Sequence, residues 1–564
     1  MTVHGLLFND TPRPGGRSPR ARQARLVVTA AAVLLAGGFV ALAPAAAAPP
    51  TRAAECPAAA GDARAAARAA ASCAGRVEVM SERSEEGQVF ANPDGTHTLE
   101  QTLWPRFARR GDGWVTADAT LRSNPDGTLS PTAPVFPMAF SGGGKGPLAS
   151  MERDGSRLQL TWPTALPEPT VAGSVATYPD VPVPGVDLQI RARAAGFSTV
   201  FVVKTRQAGA SAAMASLRFG LGTGGLRMHA DPASGALRAV NDAGRVVFSA
   251  GTPVMWDSSA RIAPGAEEGA AAPAEPKMAP MAVRLAADSV TVTPDQAMLT
   301  DSRTEYPVFV DPPWTGYRQN WTIVRKTFPT SSYWNTTSTA SDDSTAGAVK
   351  VGFEDFESPA MTDRSLFQMR TDGVGGREIV SAFFILRQLW ASKGCGGSGT
   401  PVYLWTTGAI SASTTWNQQP SWSTKLSGTS AVHRYNGSGG CAPADVSFNV
   451  QPQVQAAANA SAASINLGLK ADNETDHWTW KRYQLTGSEQ PKLVITYQTK
   501  PQQPVTLWAN GAPCAVGVDR PAAPAAPVLS ASVFDDDGDS VTLTAQWAPV
   551  NLDGTYGTWT TIAA

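Results

Sequence analysis

The chain has 564 residues, of which only 16% are charged, and it contains 52 glycines, 44 prolines and 16 tryptophans. This length suggests three or four domains, and the hydrophobic content of 43% excludes a disordered chain. The formal net charge is −1 and no basic block is present, so nucleic acid is not an expected partner. Many turn residues with few charges are typical of a β protein.

The N-terminus has the form of a secretion signal. Five arginines precede an apolar run from Leu26 to Leu42, and small residues at 45–48 form a cleavage site. We interpret residues 1–48 as a signal peptide. A membrane anchor is the less favoured alternative, because two glycines interrupt the run and it is short for a spanning helix. We therefore expect a secreted or cell-wall-associated protein with no membrane contact after cleavage, and a mature net charge of about −5.

The five cysteines fit an oxidising compartment. Cys395 and Cys441 flank glycine-rich loops in one domain, and we predict that they pair. Cys514 is left over.

Cys56 and Cys73 need a specific geometry to pair. A continuous helix would separate their Cα atoms by about 25 Å, whereas a disulfide tolerates at most about 7 Å. The pair can close only if residues 56–61 fold back along a helix from about Asp62 to Ser72. A proline and a glycine in that segment permit this turn. Residues 49–75 are thus predicted to form a short helical segment.

The rest of the chain predicts an all-β fold. Two copies of Asn-Pro-Asp-Gly-Thr, at 92–96 and 124–128, each predict a hairpin. Short β-rich runs alternate with turns at roughly ten-residue spacing, as in a β-sandwich. An alanine-rich stretch at 454–464 predicts one short surface helix.

The composition divides the chain into further regions. We predict an N-terminal β-rich domain at 76–312, with a disordered loop at 261–282, and a jelly-roll-like sandwich at 313–498. A linker at 499–527 precedes the start of an incomplete Ig- or cadherin-like domain at 528–564. Since 37 residues are too few for a sandwich, we expect further C-terminal domains.

Four motifs stand out in the second domain: Tyr403–Trp405, Thr414–Trp422, Leu467–Ala471 and Trp480–Tyr483. They resemble motifs of secreted actinobacterial proteins with a DNRLRE-type domain, which is related to carbohydrate-binding modules. The resemblance spans about 314–498, and the counterpart of the naming motif is Asp363-Arg364-Ser365-Leu366. Segments at 89–96, 140–144, 178–181 and 184–188 resemble the N-terminal part of the same proteins, which often end in a laminin-G-like domain or an RHS-type shell.

The best candidate binding site joins aromatic rings to a polar loop. Trp478 and Trp480 lie two residues apart, as on one face of a strand, and follow the loop that contains Asp472, Asn473 and Asp476. Aromatic faces stack on sugar rings while polar neighbours fix their orientation. The sequence therefore predicts an extracellular glycan or cell-wall polymer as ligand. The core is the expected place for most of the other tryptophans of this domain, Trp390, Trp405, Trp416 and Trp422.

We expect no resident cofactor, and the sequence leaves open whether the protein binds calcium. The turn that holds Asp535, Asp537 and Asp539 resembles calcium-dependent turns of cadherin-like domains, and the 472–476 loop also offers several oxygens. The favoured alternative is a solvated acidic turn that protects a strand edge.

Catalytic motifs are absent from the sequence. It has no His-Glu-x-x-His and no Gly-x-Ser-x-Gly, and only the acidic group Glu354, Asp355, Glu357 and Asp363 could supply a glycosidase pair. We therefore expect a non-enzymatic binding or adhesion scaffold. The alternatives are a structural leader of a secreted RHS-like toxin and, less favoured, a carbohydrate-active enzyme.

Overall fold

A computed structural model confirms the all-β fold. In the part of the chain that it describes, no helix is long and apolar enough to cross a membrane. The predicted signal peptide lies outside this part. The described residues are 55–259, 277–311, 313–336, 348–355, 359–395, 399–433, 441–499, 501–514, 528–535, 541–549, 551, 553 and 555–562.

The N-terminal segment folds back as predicted. Helix α1 (Ala63–Cys73) begins after Asp62, whose carboxylate accepts a hydrogen bond from the Ala65 amide at 2.8 Å. The Cys56–Cys73 disulfide joins Cα atoms 5.2 Å apart, and the Cys395–Cys441 disulfide joins Cα atoms 5.9 Å apart. Both predicted pairs are confirmed. Four strands belong to this segment: β1 (Ala59–Ala60), β2 (Val77–Val79), β3 (Gly87–Ala91) and β4 (His97–Thr102).

The two Asn-Pro-Asp-Gly-Thr repeats form the predicted hairpin turns. The first joins β3 to β4, and the second joins the strands at 118–123 and 129–133. In the first, the Asp94 carboxylate accepts from the Thr96 hydroxyl at 2.7 Å, and in the second, Asp126 accepts from Thr128 at 2.6 Å.

Residues 107–315 are called unit 1. Its elements are β5 (Phe107–Arg110), β6 (Gly113–Thr116), β7 (Asp118–Ser123), β8 (Leu129–Ala133), β9 (Met138–Phe140), β10 (Pro147–Arg153), β11 (Ser156–Thr161), β12 (Thr170–Ala172), β13 (Val175–Tyr178), β14 (Val186–Arg193), β15 (Gly196–Val203), α2 (Arg206–Gly209), β16 (Leu217–Gly222), β17 (Arg227–Ala230), β18 (Leu237–Val240), β19 (Val246–Ala250), β20 (Val254–Trp256), β21 (Met278–Pro280), β22 (Ala282–Leu285), β23 (Ser289–Thr293), α3 (Gln296–Thr300), β24 (Val308–Asp311) and β25 (Pro313–Thr315).

Most strands of unit 1 form two large sheets that share one core. The first sheet has the order β22-β23-β16-β11-β10-β9-β8-β7, and the second contains β12-β13-β14-β15-β25-β19-β18-β17 with β24, β20 and β21 attached. Aromatic side chains fill the space between the sheets, including Trp162 against Phe201 and Phe219 at 5.5 and 5.3 Å.

Unit 2 combines residues 55–104 with 320–498. Its further elements are β26 (Asn320–Arg325), β27 (Ala348–Glu354), β28 (Met361–Arg370), β29 (Glu378–Ala391), β30 (Val402–Thr407), β31 (Trp422–Thr429), β32 (Ala444–Asn449), α4 (Gln451–Asn459), β33 (Ser464–Ala471), β34 (Lys481–Gln484) and β35 (Lys492–Gln498). With β1–β4, these strands form one curled sheet of the order β1-β2-β3-β4-β35-β29-β34-β27-β28-β33-β30-β31. Strand β26 pairs with β28, and β32 with β29. The helix predicted at 454–464 occurs at 451–459 and buries Val454, Ala457 and Ala458.

The structure differs from the predicted division at 312/313. Strand β4 pairs with β35 from His97↔Tyr497 to Thr102↔Lys492, so residues 77–102 belong to the second sheet rather than to the first. Alternation along a strand predicts which side chains are buried, but it does not identify the partner strand. The loop predicted at 261–282 also ends earlier, because β21 begins at Met278; residues 260–276 lie outside the described part.

The C-terminal region begins before its predicted boundary. Strands β36 (Val505–Ala509) and β37 (Ala512–Pro513) lie within the predicted linker, and β36 pairs with β38 (Leu529–Ser532). Strands β39 (Ala545–Trp547) and β40 (Thr560–Ile562) form a separate hairpin.

An ion pair connects the two units just before β3, where the Glu85 carboxylate accepts from Arg153 of unit 1 at 2.6 Å. Within unit 2, the neighbouring Glu86 lies 3.4 Å from Arg370 of β28. Burial of Glu86, with the adjacent charge of Glu85, raises the pKa of the Glu86 carboxyl to about 7. The junction therefore contains a carboxyl group that titrates near neutral pH.

We expect Trp104→Ala to destabilise unit 2. The Trp104 indole donates to the Leu485 carbonyl at 2.9 Å, and the Trp104 amide donates to the Gln490 side chain at 2.6 Å. Losing this buried side chain should lower the free energy of unfolding by about 3–5 kcal/mol, measured by chemical denaturation. Trp114→Ala, in the half-exposed ribbon β5–β6, is the matched control and should cost about 0.5 kcal/mol. Equal losses would contradict the anchoring role of Trp104.

We expect Glu86→Gln to reduce the pH dependence of stability. The folded pKa of about 7 lies above the ordinary value of 4.5, so the stabilisation from protonated Glu86 is complete below about pH 4.5 and is lost as the pH rises through 7. The shift corresponds to on the order of 3 kcal/mol between pH 8 and pH 4.5. Denaturation of both proteins across this range measures the difference. Glu82→Gln, at an exposed position, is the control, and an unchanged slope in Glu86→Gln would refute the assignment.

Candidate functional site

The two tryptophans predicted to form one binding face point in different directions. Residues 477–479 form a 3₁₀ turn rather than a strand, so positions two apart are rotated by about 240° about the turn axis. Trp478 is 42% exposed, whereas Trp480 is completely buried. The prediction of a shared face is therefore corrected, and only Trp478 offers its ring to solvent.

Trp478 has polar neighbours on its exposed side. The His477 ring contacts it edge-on with centroids 4.4 Å apart, and His477 Nδ1 lies 3.0 Å from the carboxylate of Asp355. The Asp476 carboxylate accepts from the Trp478 amide at 2.9 Å. Asp476 thus positions the exposed ring by capping the turn.

The carboxylates of the 472–476 loop bind protein cations instead of converging. Asp472 accepts from Lys425 Nζ with both oxygens, at 2.6 and 2.7 Å, and Glu474 accepts from Arg364 at 2.7 and 2.6 Å. The Asn473 side chain accepts from the Thr475 amide and hydroxyl. Within the described residues, no group of three His, Cys, Asp or Glu side chains could hold a metal ion. The suggested calcium site in this loop therefore lacks a converging ligand set.

The loop borders a larger aromatic surface that the sequence did not single out as a site. Along β30, Val402 and Leu404 are buried, whereas Tyr403 and Trp405 alternate with them on the partly exposed outer side. Trp422 of the neighbouring strand β31 is also partly exposed. Trp405 and Trp422, expected in the core, are therefore only partly buried, and Trp422 still packs against the small buried cluster that includes Leu366 and Ile410.

Two lysines lie against these rings. Lys470 Nζ lies 4.1 Å from the ring centroid of Trp405 and 4.8 Å from that of Trp422, while Lys425 Nζ lies 3.5 Å from that of Tyr403. These distances are those of cation–π contacts. We call Tyr403, Trp405, Trp422, Lys425 and Lys470 the aromatic–lysine face.

Glycines on neighbouring strands let two rings lie close against the sheet backbone. Gly428 lies opposite Tyr403, and a Cβ there would meet the tyrosine ring at 2.4 Å. A Cβ at Gly468 would meet the Trp422 ring at 2.5 Å. Because only glycine permits such close approach of ring and backbone, the sequence of β31 and β33 builds the aromatic platform.

Arg364 closes one end of the face. Its guanidinium lies 4.6 Å from the Trp416 ring centroid and 5.7 Å from that of Trp422, and it donates to Gln419 at 3.0 Å. The preceding residue, Asp363, points to the interior and pairs with buried Arg325 at 3.2 Å. Asp363 and Arg364 thus have separate roles, one in the core and one at the face.

Lys470 differs electrostatically from the other cations of this surface. Lys425 and Arg364 each bind a carboxylate, but Lys470 has no ion pair among the described residues. Partial burial, and then the charge of Arg364, lowers the pKa of the Lys470 ammonium. An ammonium group without a carboxylate partner can donate to a ligand oxygen.

The other predicted site residues lie apart from the aromatic–lysine face or outside the part of the chain that the structure describes. Asp535 is largely buried, whereas Asp537 and Asp539 fall in the undescribed segment 536–540. In the acidic group considered for catalysis, Glu354 and Asp363 are buried, and Asp355 lies on the surface beside His477. Glu357 is undescribed. The described members therefore do not face one common cleft.

Comparison with known proteins adds no family. No protein-family model matches the chain, and no curated protein matches it. The resemblance to DNRLRE-type domains therefore depends on the motifs quoted from the sequence.

We expect Gly468→Ala to move the Trp422 ring off the sheet. The added methyl would lie 2.5 Å from the ring in its present position, so the ring must shift and its contact with Lys470 must change. The near-ultraviolet circular dichroism of the variant reports this movement. Gly373→Ala, where the nearest atom is at 3.5 Å, is the matched control. An unchanged spectrum in Gly468→Ala would show that the platform does not depend on this glycine.

Proposed function

We propose that this protein is a secreted, non-enzymatic binding or adhesion module that engages glycans of a cell wall or matrix through the aromatic–lysine face. The observation that carries the proposal is the set of partly exposed rings that Gly428 and Gly468 allow to lie close against the sheet. Flat aromatic surfaces favour contact with the C–H faces of sugar rings, and a few placed polar groups give orientation.

The charges of the face favour an acidic glycan over a neutral one. Lys470 has no carboxylate partner among the described residues, whereas the charges of Lys425 and Arg364 are compensated by Asp472 and Glu474. A ligand carboxylate or phosphate beside Lys470 would complete the pairing of cations on this surface. Its sugar rings would then contact the exposed parts of Trp405 and Trp422.

Three further features support the extracellular location that this proposal requires. Two disulfides occur, and such bonds persist in oxidising compartments. The signal-like sequence at 1–48 and the resemblance to DNRLRE-type domains, which are related to carbohydrate-binding modules, agree with the same proposal.

Retention on insoluble polysaccharide tests this function. The mature chain should be retained by acidic wall or matrix polysaccharides more strongly than by neutral ones. Trp405→Ala and Trp422→Ala should each weaken binding about tenfold or more, as expected for an aromatic anchor worth at least 1.4 kcal/mol. Trp114→Ala, which removes a tryptophan far along the chain from this surface, is the matched control.

The position of Trp478 provides a second comparison. Loss of binding in Trp478→Ala alone would move the site to the 477–478 turn and away from the aromatic–lysine face. Failure of the wild-type chain to bind any polysaccharide would contradict the proposal and favour a structural leader role.

A further inference from the structure

A second candidate site lies between the two units. A cavity of about 510 Å³ opens where the β18–β19 hairpin and the end of β10 of unit 1 face the end of β28 and the 410–412 loop of unit 2. This volume is in the range of sites that hold small molecules. The residues of the aromatic–lysine face do not line this cavity, although Trp422 packs against the buried cluster that contains Trp334 and Ile410 of the cavity wall.

The cavity lining is strongly cationic. It contains five arginines but only two aspartates, Asp154 and Asp372. Three of the arginines have structural partners: Arg153 binds Glu85 at 2.6 Å, Arg318 binds Asp154 at 3.2 Å, and Arg370 binds Asp372. Of these pairs, Arg153–Glu85 joins the two units, and the charges of all three arginines are compensated.

The other two arginines have no such partner. The side chains of Arg238 and Arg245 make no ion pair or hydrogen bond with any described residue, although both line the cavity. Arg238 lies on β18 opposite Ser249, and Arg245 ends the turn that precedes β19, where its backbone amide is fixed by the Asn241 side chain at 3.0 Å. The hairpin thus presents two guanidinium groups whose charge no described protein group neutralises.

The walls of the cavity also include neutral groups. Trp334, which is 6% exposed, donates to the Ser249 hydroxyl at 2.8 Å and so forms a fixed wall. Ile410 and Ala412 add apolar surface, and Ser411 and Ser464 add hydroxyl groups. A ligand that fills this space therefore has an anionic group and a neutral body with both polar and apolar surface.

We propose that the cavity binds a small organic anion whose carboxylate or phosphate is held by Arg238 and Arg245. Guanidinium groups bind these anions through paired, charge-assisted hydrogen bonds. The proposal does not depend on the glycan function of the aromatic–lysine face.

Calorimetric titration of the mature chain at low salt tests the proposal. The probes are glucuronate for a carboxylate source, glucose 6-phosphate for a phosphate source, and glucose as the neutral reference. We expect at least one anion to bind and glucose not to bind, and the preferred anion identifies the source. Arg238→Gln and Arg245→Gln should each weaken binding about tenfold, with unchanged thermal unfolding in the absence of ligand.

Two controls make the result specific. Arg227→Gln removes the same charge from the neighbouring strand β17, where Arg227 pairs with Asp242 at 3.5 Å outside the cavity, and it should leave the affinity unchanged. Tyr403→Ala, in the aromatic–lysine face but outside the cavity wall, should also bind the anion normally, which separates this site from the proposed glycan face. No binding by either anion, equal binding of glucose, or equal losses in Arg227→Gln and Arg238→Gln would each overturn the proposal.

Discussion

The architecture depends on the pairing of β4 with β35. These strands are almost 400 residues apart in the chain but pair over six positions in antiparallel register. Without β4, strand β35 would present unpaired backbone groups on one side, and exposed edges of this kind promote aggregation. The chain therefore begins unit 2, leaves it at residue 104 to build unit 1, and returns at residue 320 to complete it.

This path fixes the junction between the units at two crossings. The stacked pair Trp256 and Phe309, with ring centroids 5.5 Å apart, belongs to unit 1 but packs into the core of unit 2. Arg153 reaches Glu85 across the same boundary. Because apolar packing and an ion pair both cross the junction, it is a packed interface. The arginine-lined cavity is therefore a fixed feature of this interface rather than a gap between independent domains.

Local patterns predicted local structure well. Alternation predicted the strands, the repeated Asn-Pro-Asp-Gly-Thr predicted both turns, and chain geometry predicted the fold-back that closes the Cys56–Cys73 disulfide. The partner of each strand could not be predicted, because the alternation of residues along a strand indicates which side chains are buried but not which strand lies beside it. Trp478 and Trp480 were misassigned because Asp476 caps a 3₁₀ turn at that point; an aspartate two residues before Trp478 was the available signal for a turn.

The aromatic–lysine face was missed for a related reason. A glycine beside an aromatic residue indicates a ring that lies close to the backbone, but the nearness of Gly468 to Trp422 appears only when the register of β30, β31 and β33 is known.

Cations without a carboxylate partner occur at both candidate sites. Only 16% of the chain is charged, and Arg153, Arg325 and Arg364 are each bound to a carboxylate. Lys470 and Arg238 are partly buried without a carboxylate partner among the described residues, whereas Arg245 lines the cavity at an exposed position. Partial burial disfavours the charged form of a cation, and a protein carbonyl can offset this, as that of Thr400 does for buried Lys481. At Lys470 and Arg238 a ligand anion would offset it instead, because open surface or a cavity lies beside them.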